Sequence, residues 1–412
     1  MTPTAPMTPG MAALMLALLL GLQPVTTDMM LTALPSLAAD LHAPMAPVQL
    51  TMSATILAFG LAQLVWGPVS DRFGRRTIML LGLVAYAAAS AGAMLAASID
   101  TVIGWRALQG ASMAAAVVGA RAMIRDLYEP HEGAGVMARA LTGLGFIAIA
   151  CPLLGGLLVS AFGWRAAIAT MAACGAALAT LVALRLPETV RQRDPNATRL
   201  APLLRQVGAT LRHPAFRAWT LLVSCTYGAL FVALASSGIV LIQVLHLPEA
   251  LAGALLSLMG VSYIAGTLLC RRWLPRHGLA GSVARAAGFS LTAAAALALV
   301  AALDLRSAWA LMVPMCLFAV GHGVHQPCGQ AGAVAPFPHA AGLASALAGF
   351  ALALVAAGIG LWLGRALDGS VRPLALGMAV GAGSSALVAW TLVRWHGEPP
   401  RGPAHQAVAS PA

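Results

Sequence analysis

Asp28 is the only charged side chain among the first 39 residues, where it interrupts an apolar run beside Pro24, Thr26 and Thr27. A carboxylate inside such a run costs at least about 2.5 kcal/mol on membrane-insertion scales, so its presence points to a role, and reversible proton binding is the chemistry it offers. The plainer reading is a carboxylate solvated near the end of its segment. Arg106 sits in a second apolar run. His322-x-x-His325 places two imidazoles on one helical face, which suits a proton relay or a metal pair, although no carboxylate is near in sequence. Gln63, Tyr86, Gln109, Tyr227 and Gln243 are scattered polar groups that either meet a solute or fill a core.

Two further clusters combine glycine with proline or charge. GPVSDRFGRR, residues 67–76, gathers Asp71, Arg72, Arg75 and Arg76 in a chain that is only 9% charged. A topology signal needs only the arginines. Gly67 and Gly74 imply close backbone approach or an unusual turn. Asp71 suits the N-terminus of a helix beginning near Ala341, and Arg75 suits Asp126. These contacts are expected when the protein is open outward and are expected to break when it opens inward. Cys151-Pro152-x-x-Gly155-Gly156, with Gly143 and Gly145 before it, puts small residues and a kink in one apolar run, as a hinge or seal would require.

The elements that must position these groups follow from composition. The 412 residues are 60% hydrophobic, with a mean hydropathy of +0.85. Apolar stretches near 11–34, 48–69, 77–98, 102–123, 138–160 and 166–186 are followed by a second set near 217–241, 251–270, 283–303, 308–331, 342–364 and 373–393. Each approaches the roughly 20 residues that cross a bilayer. The expected fold is an all-α integral membrane protein of twelve helices. It comprises a six-helix bundle over 1–186, a cytoplasmic linker over 187–216, a second bundle over 217–394 and a cytoplasmic tail over 395–412.

All 24 basic residues are arginine, and the net charge is +11. With the N-terminus inside, 18 arginines fall on inner segments and only Arg165, Arg306, Arg365 and Arg372 on outer joints, leaving Arg106 and Arg121 within a span. The positive-inside rule accounts for the charge without nucleic acid and puts both termini in the cytoplasm. The six cysteines are scattered, with no CxxC pair, and read as small core residues. The first ten residues hold no basic residue, against a cleaved signal peptide. No GxxxxGK[ST] loop occurs, so an ion gradient is the expected energy source, with no cofactor. The halves echo one another: Gly67-x-x-x-Asp71-Arg72 recurs as Gly266-x-x-x-Cys270-Arg271-Arg272 without its acid.

These residues resemble the major facilitator superfamily, and within it the twelve-span drug:proton antiporters of the Bcr/CflA type. The resemblance rests on residues 67–76, on Arg106-Ala-Leu-Gln109-Gly110 and on Cys151-Pro152-x-x-Gly155-Gly156, where glycine is usual at the position of Cys151. Thr27-Asp28-Met29, Ala120-Arg121-x-x-x-Arg125-Asp126 and Ala341-Gly342 to Phe350 suggest the subfamily. Pro327-Cys328 departs from its usual Pro-Asn. The resemblance implies that the first and fourth helices line a central cavity, where Asp28 and Arg106 at similar depth would pair, with Arg106 tuning the proton affinity of Asp28. It also implies a working monomer. Gln109, His322 and His325 are the candidate cavity groups.

The function expected is proton-coupled efflux of small, largely hydrophobic drugs or toxic compounds by alternating access. The alternative is a proton-coupled exporter or importer of a metabolite such as an amino acid. An integral-membrane enzyme would cluster its acids and histidines at one membrane face, whereas the 13 acids here are spread thinly. A non-transporting sensor would usually carry an appended soluble domain. No metal site is expected.

Overall fold

The computed structural model describes residues 8–128, 130–190, 200–337 and 340–397. Most of the tail, and the linker residues 191–199 with Arg191, Arg193 and Arg199, lie outside this set, as does Arg401. The spans are α1 (Pro9–Thr27), α2 (Met45–Phe73), α3 (Arg75–Met94), α4 (Ile99–Leu127), α5 (Pro130–Phe162) and α6 (Trp164–Arg185), then α7 (Pro214–Ile239). One 55-residue helix, Glu249–Leu303, holds two spans, because Gly278 inside it has φ 66° and ψ −173°. These are α8 (249–277) and α9 (279–303). The bundle ends with α10 (Ala308–Val334), α11 (Ala341–Ala366) and α12 (Arg372–Trp390). With no water in the hydrocarbon core, helices that bond their own backbone are the economical solution.

Twelve spans return the chain to the face on which it began; this is called the terminal face below, and the opposite one the far face. Two glycines turn the chain at equivalent joints of the two halves. Gly74, at φ 108°, separates α2 from α3, and Gly278 separates α8 from α9. A Cβ is disfavoured at such angles.

The linker is more ordered than its polar composition implies. Leu200–Arg212 forms a helix in which Leu200, Leu203, Leu204, Val207 and Leu211 recur at helical spacing. Val207 packs on the core at the terminal end of the second half, while Leu204 and Leu211 stay exposed.

Two long crossings join the halves. Along α5 and α8, glycine on one helix faces bulk on the other: Gly145 meets Ile264, Gly260 meets Ile149, and Gly253 faces Pro152 and Gly156. Along α2 and α11, Gly60 meets Ala353, Gly360 meets Ser53, and Gly364 meets Ala46. Small residues permit this approach where hydrophobicity gives no preference for protein over lipid. At the far face the halves close: a methyl on Gly238 of α7 would run into the Leu31 carbonyl, and the Gln49 amide donates to the Ala235 carbonyl at 2.6 Å. The Trp164 indole and Arg165 both bond Asp40 there, tying the start of α6 to the chain beyond α1. Those donors hold the Asp40 carboxyl below its ordinary range.

At the terminal face the 67–76 segment forms a staple inside the first half. Arg75 is buried. It pairs with Asp71, reaches Asp126 at the end of α4 at 3.1 Å, and donates to the Ser70 hydroxyl at 2.6 Å. Its backbone N–H donates to Glu188 beyond α6 at 2.9 Å. Thr189 adds a bond to Asp126 at 3.3 Å, and Arg76 caps the Ala183 carbonyl of α6 at 2.7 Å.

One expectation is corrected here. The Arg75–Asp126 contact lies within one half, so parting of the two halves at the terminal face does not break it. Among the described residues Asp71 pairs with Arg75 and the N-cap of α11, Ala340, makes no side-chain cap bond; the expected Asp71 cap belongs to the other state. Gly67 has open space where a Cβ would stand, so close approach is not its role in this state.

Arg75→Gln is expected to lower stability by about 1–3 kcal/mol, the range for hydrogen bonds to charged groups and for stranding a carboxylate. Thermal unfolding in detergent reads this; an unchanged midpoint would leave these arginines only a topological role. Gly238→Ala overpacks the far-face closure, which costs about 1–3 kcal/mol. It is expected to speed thiol-reagent labelling of a cysteine placed at Ser53 by roughly fivefold or more. Equal labelling rates would show that the closure does not rest on this contact.

Candidate functional site

The break in the first span creates the site. Pro24 lies inside α1. The Thr26 hydroxyl bonds the Leu22 carbonyl at 2.6 Å, and the Thr27 hydroxyl lies 3.0 Å from the Gln23 carbonyl. Proline removes a ladder donor, and threonine back-bonding competes with the ladder, so both weaken the helix here. The α-helix ends at Thr27. Asp28–Met30 is a 3₁₀ turn, and helix resumes at Leu34–Asp40. Asp28 therefore lies at a break where the first span ends, half-buried. Its carboxylate accepts from the Thr27 hydroxyl at 2.6 Å.

Arg106 is fully buried in α4. It donates to the Thr26 carbonyl at 3.0 Å, one of the carbonyls a helix end leaves without an intrahelical donor. It also donates to Gln109 Oε1 at 2.5 Å. Gln109 donates in turn to the Ser90 hydroxyl at 2.6 Å, Ser90 to the Tyr86 carbonyl at 2.7 Å, and the Tyr86 and Thr26 hydroxyls are 2.6 Å apart. A closed circuit of α1, α3 and α4 thus grips the helix end beside Asp28. The expected Asp28–Arg106 ion pair is not formed in this state. Among the described residues no carboxylate lies within ion-pair distance of Arg106, and its Nε has no partner.

The proline–glycine motif of α5 meets the break directly. Gly155 packs on the Met29 backbone, and Gly156 on the carbonyl of Glu249 at the start of α8. Pro152 lies inside α5, and Cys151 is buried. The motif thus stands where α1, α5 and the second half converge near the far face.

A cavity of about 320 Å³ lies between the halves. Its walls are Gln23 of α1, Gln63 of α2, Arg121 of α4, Tyr227 of α7, Gln326 and Gln330 of α10 and Ser345 of α11, interleaved with Ile56, Phe59, Val223 and Leu352. It reaches Val334 and Ser345, at the terminal ends of α10 and α11, while the far face is closed. Gln63 and Tyr227 thus line it.

The three candidate cavity groups, Gln109, His322 and His325, do not. Gln109 is spent on Arg106 and Ser90. His322 bonds the Thr226 hydroxyl at 2.9 Å between the rings of Phe318 and Tyr263, and His325 turns to the Val283 carbonyl of α9 at 3.3 Å. The cavity face of α10 is the neighbouring stripe carrying Gln326, Gln330 and Val334. Gln326 and Gln330, four residues apart in an apolar span, were the available sequence signal for it. Among the described residues no group of three or more His, Cys, Asp or Glu is arranged to hold a metal.

The comparisons agree with this architecture. Residues 16–361 match the model of the Major Facilitator Superfamily. The chain is 30% identical over 338 residues to Multidrug resistance protein D of Escherichia coli, covering 82% of this chain and 84% of that one. It is 28% identical over 338 residues to a Bicyclomycin resistance protein homolog of Haemophilus influenzae, with the same coverage of 82% and 84%. Its backbone superposes on a D-xylose-proton symporter with a TM-score of 0.73 at 15% identity, covering 94% of this chain and 98% of that one. The chain belongs to the major facilitator superfamily, among its Bcr/CflA-type members, and is a multi-pass membrane transporter, not an enzyme.

Proposed function

We propose that the protein exports small, largely hydrophobic drugs or toxic compounds across the bacterial inner membrane, driven by inward movement of protons. The observation that carries this reading is the Asp28 carboxylate at the break of α1, beside a buried Arg106 that has no acidic partner in this state. A buried cation without a counter-ion is costly. A second state in which Arg106 exchanges the Thr26 carbonyl for Asp28 would relieve that cost, and it would change how tightly Asp28 holds a proton. A carboxylate that meets Arg106 in one state and not in the other can load a proton from one side and release it to the other.

With both termini in the cytoplasm, the 320 Å³ cavity opens inward, ready to receive a solute from the cell. The names of the relatives, a multidrug and a bicyclomycin resistance protein, support an outward direction for drug-like cargo. The glycine-lined α5–α8 and α2–α11 crossings let the halves rock about the cavity. On this reading a single chain suffices and no cofactor takes part.

Asp28→Asn is expected to abolish proton-driven efflux while the protein still reaches the membrane and its fold is kept. Asp28→Glu is expected to retain part of it. The assay is drug resistance, together with dye efflux under an imposed pH gradient, in a strain stripped of its own efflux pumps. Near-normal efflux by Asp28→Asn with an intact response to the gradient would sink the coupling role. If no compound panel reveals resistance with the parent protein, while an amino acid moves against its gradient, the cargo is a metabolite instead.

A further inference from the structure

The charge on the cavity wall narrows the cargo. Arg121 is the charged member of the lining, and the other polar members are Gln23, Gln63, Gln326, Gln330, Tyr227 and Ser345. No acid lies on that lining among the described residues. Among the described residues no carboxylate reaches Arg121 within ion-pair distance. The acids at the end of α4 and its neighbours are engaged elsewhere, Asp71 and Asp126 with Arg75 and Glu188 with the Arg75 backbone. Asp28 lies just past the end of α1, beyond Gln23 toward the closed face, and is not a member of the lining.

A second observation concerns the neutral part of the solute. Among the described residues Gln326 Oε1 is buried and has no hydrogen-bond partner. It is an acceptor, so it fits an N–H or O–H group of the solute and not the anionic oxygens.

We propose that the cavity selects amphipathic compounds whose polar end is an anion, a carboxylate or an ionised phenol, and discriminates against lipophilic cations. Arg121 supplies the counter-charge, as a planar fork matched to a carboxylate. The glutamine amides orient the polar end, and Ile56, Phe59 and Leu352 take the apolar body. A cation in the same space would face Arg121 with no acid on the described lining to offset it. The inside-negative potential of a bacterial membrane adds to this preference, because it favours expulsion of an anion.

This inference rests on the efflux reading above, and the test separates the two. The purified full-length protein is assayed by equilibrium dialysis in detergent with three probes: nalidixate, its neutral ethyl ester and tetraphenylphosphonium. Nalidixate is expected to bind at least about tenfold tighter than the ester, with tetraphenylphosphonium weakest. Arg121→Gln should remove the advantage of the acid over the ester while leaving the ester within about threefold, and Arg121→Lys should keep the ranking. Tetraphenylphosphonium binding as tightly as nalidixate, an equal loss of all probes in Arg121→Gln, or no binding of any probe to the parent protein would each overturn the charge selection. A preserved ranking beside a failed Asp28→Asn efflux experiment would retain the selection and remove the proton coupling.

Discussion

Everything in this molecule answers to the cost of a polar group without a partner in hydrocarbon. The sharpest instance is Arg106, fully buried in α4. Its guanidinium is held by a backbone carbonyl, at Thr26, and by a glutamine, not by an acid. That arrangement works because α1 stops being an α-helix at Thr27 and so leaves carbonyls to be bonded. The helix break and the buried cation therefore explain one another. Asp28 is placed by the break, two residues from the carbonyl that Arg106 holds, and a shift in one group must be felt by the other.

The same economy shapes the crossings between the halves. Hydrophobicity cannot hold two helices together in lipid, because the tails are as apolar as the side chains. Close backbone packing must do it. Gly155 and Gly156 let α5 lie against the break of α1 and the start of α8, while Gly60, Gly360 and Gly364 do the same for α2 and α11. Contacts of this kind add no directional bonds between the halves, which suits surfaces that must part and re-form. Apart from the Gln49–Ala235 bond at the far face, the polar ties described here lie inside a half. Arg75 knots the ends of α2 and α4 to the segment after α6, so the first six helices can move as one body.

The cavity is built on the opposite principle. Arg121, four glutamines, a tyrosine and a serine face a space between apolar walls. Elsewhere in the spans, comparable groups have been consumed: Gln109 by Arg106 and Ser90, His322 by Thr226, Gln49 by the Ala235 carbonyl. What distinguishes the wall of the cavity is that a cation, four glutamines, a tyrosine and a serine face one open space, whereas polar side chains of the core are scattered among apolar neighbours.

The sequence by itself determined the membrane class, the number of spans and the two halves, because hydropathy and segment length are local properties. It also singled out Asp28, Arg106 and the 67–76 segment, since a charge or a glycine knot in a greasy chain stands out without any knowledge of contacts. Tertiary structure decided what those groups touch. Arg106 finds the Thr26 carbonyl where Asp28 was expected. Arg75 staples its own half and does not latch the two together, and in this state Asp71 pairs with Arg75. Which stripe of α10 faces the cavity was open in the same way, because His322, His325, Gln326 and Gln330 crowd less than three turns of one helix. Only the packing of α7 and α9 against that helix sends the histidines inward to Thr226 and Val283 and leaves the glutamines facing the cavity. Such contacts join residues tens to hundreds of positions apart, and no local pattern of residue types encodes them.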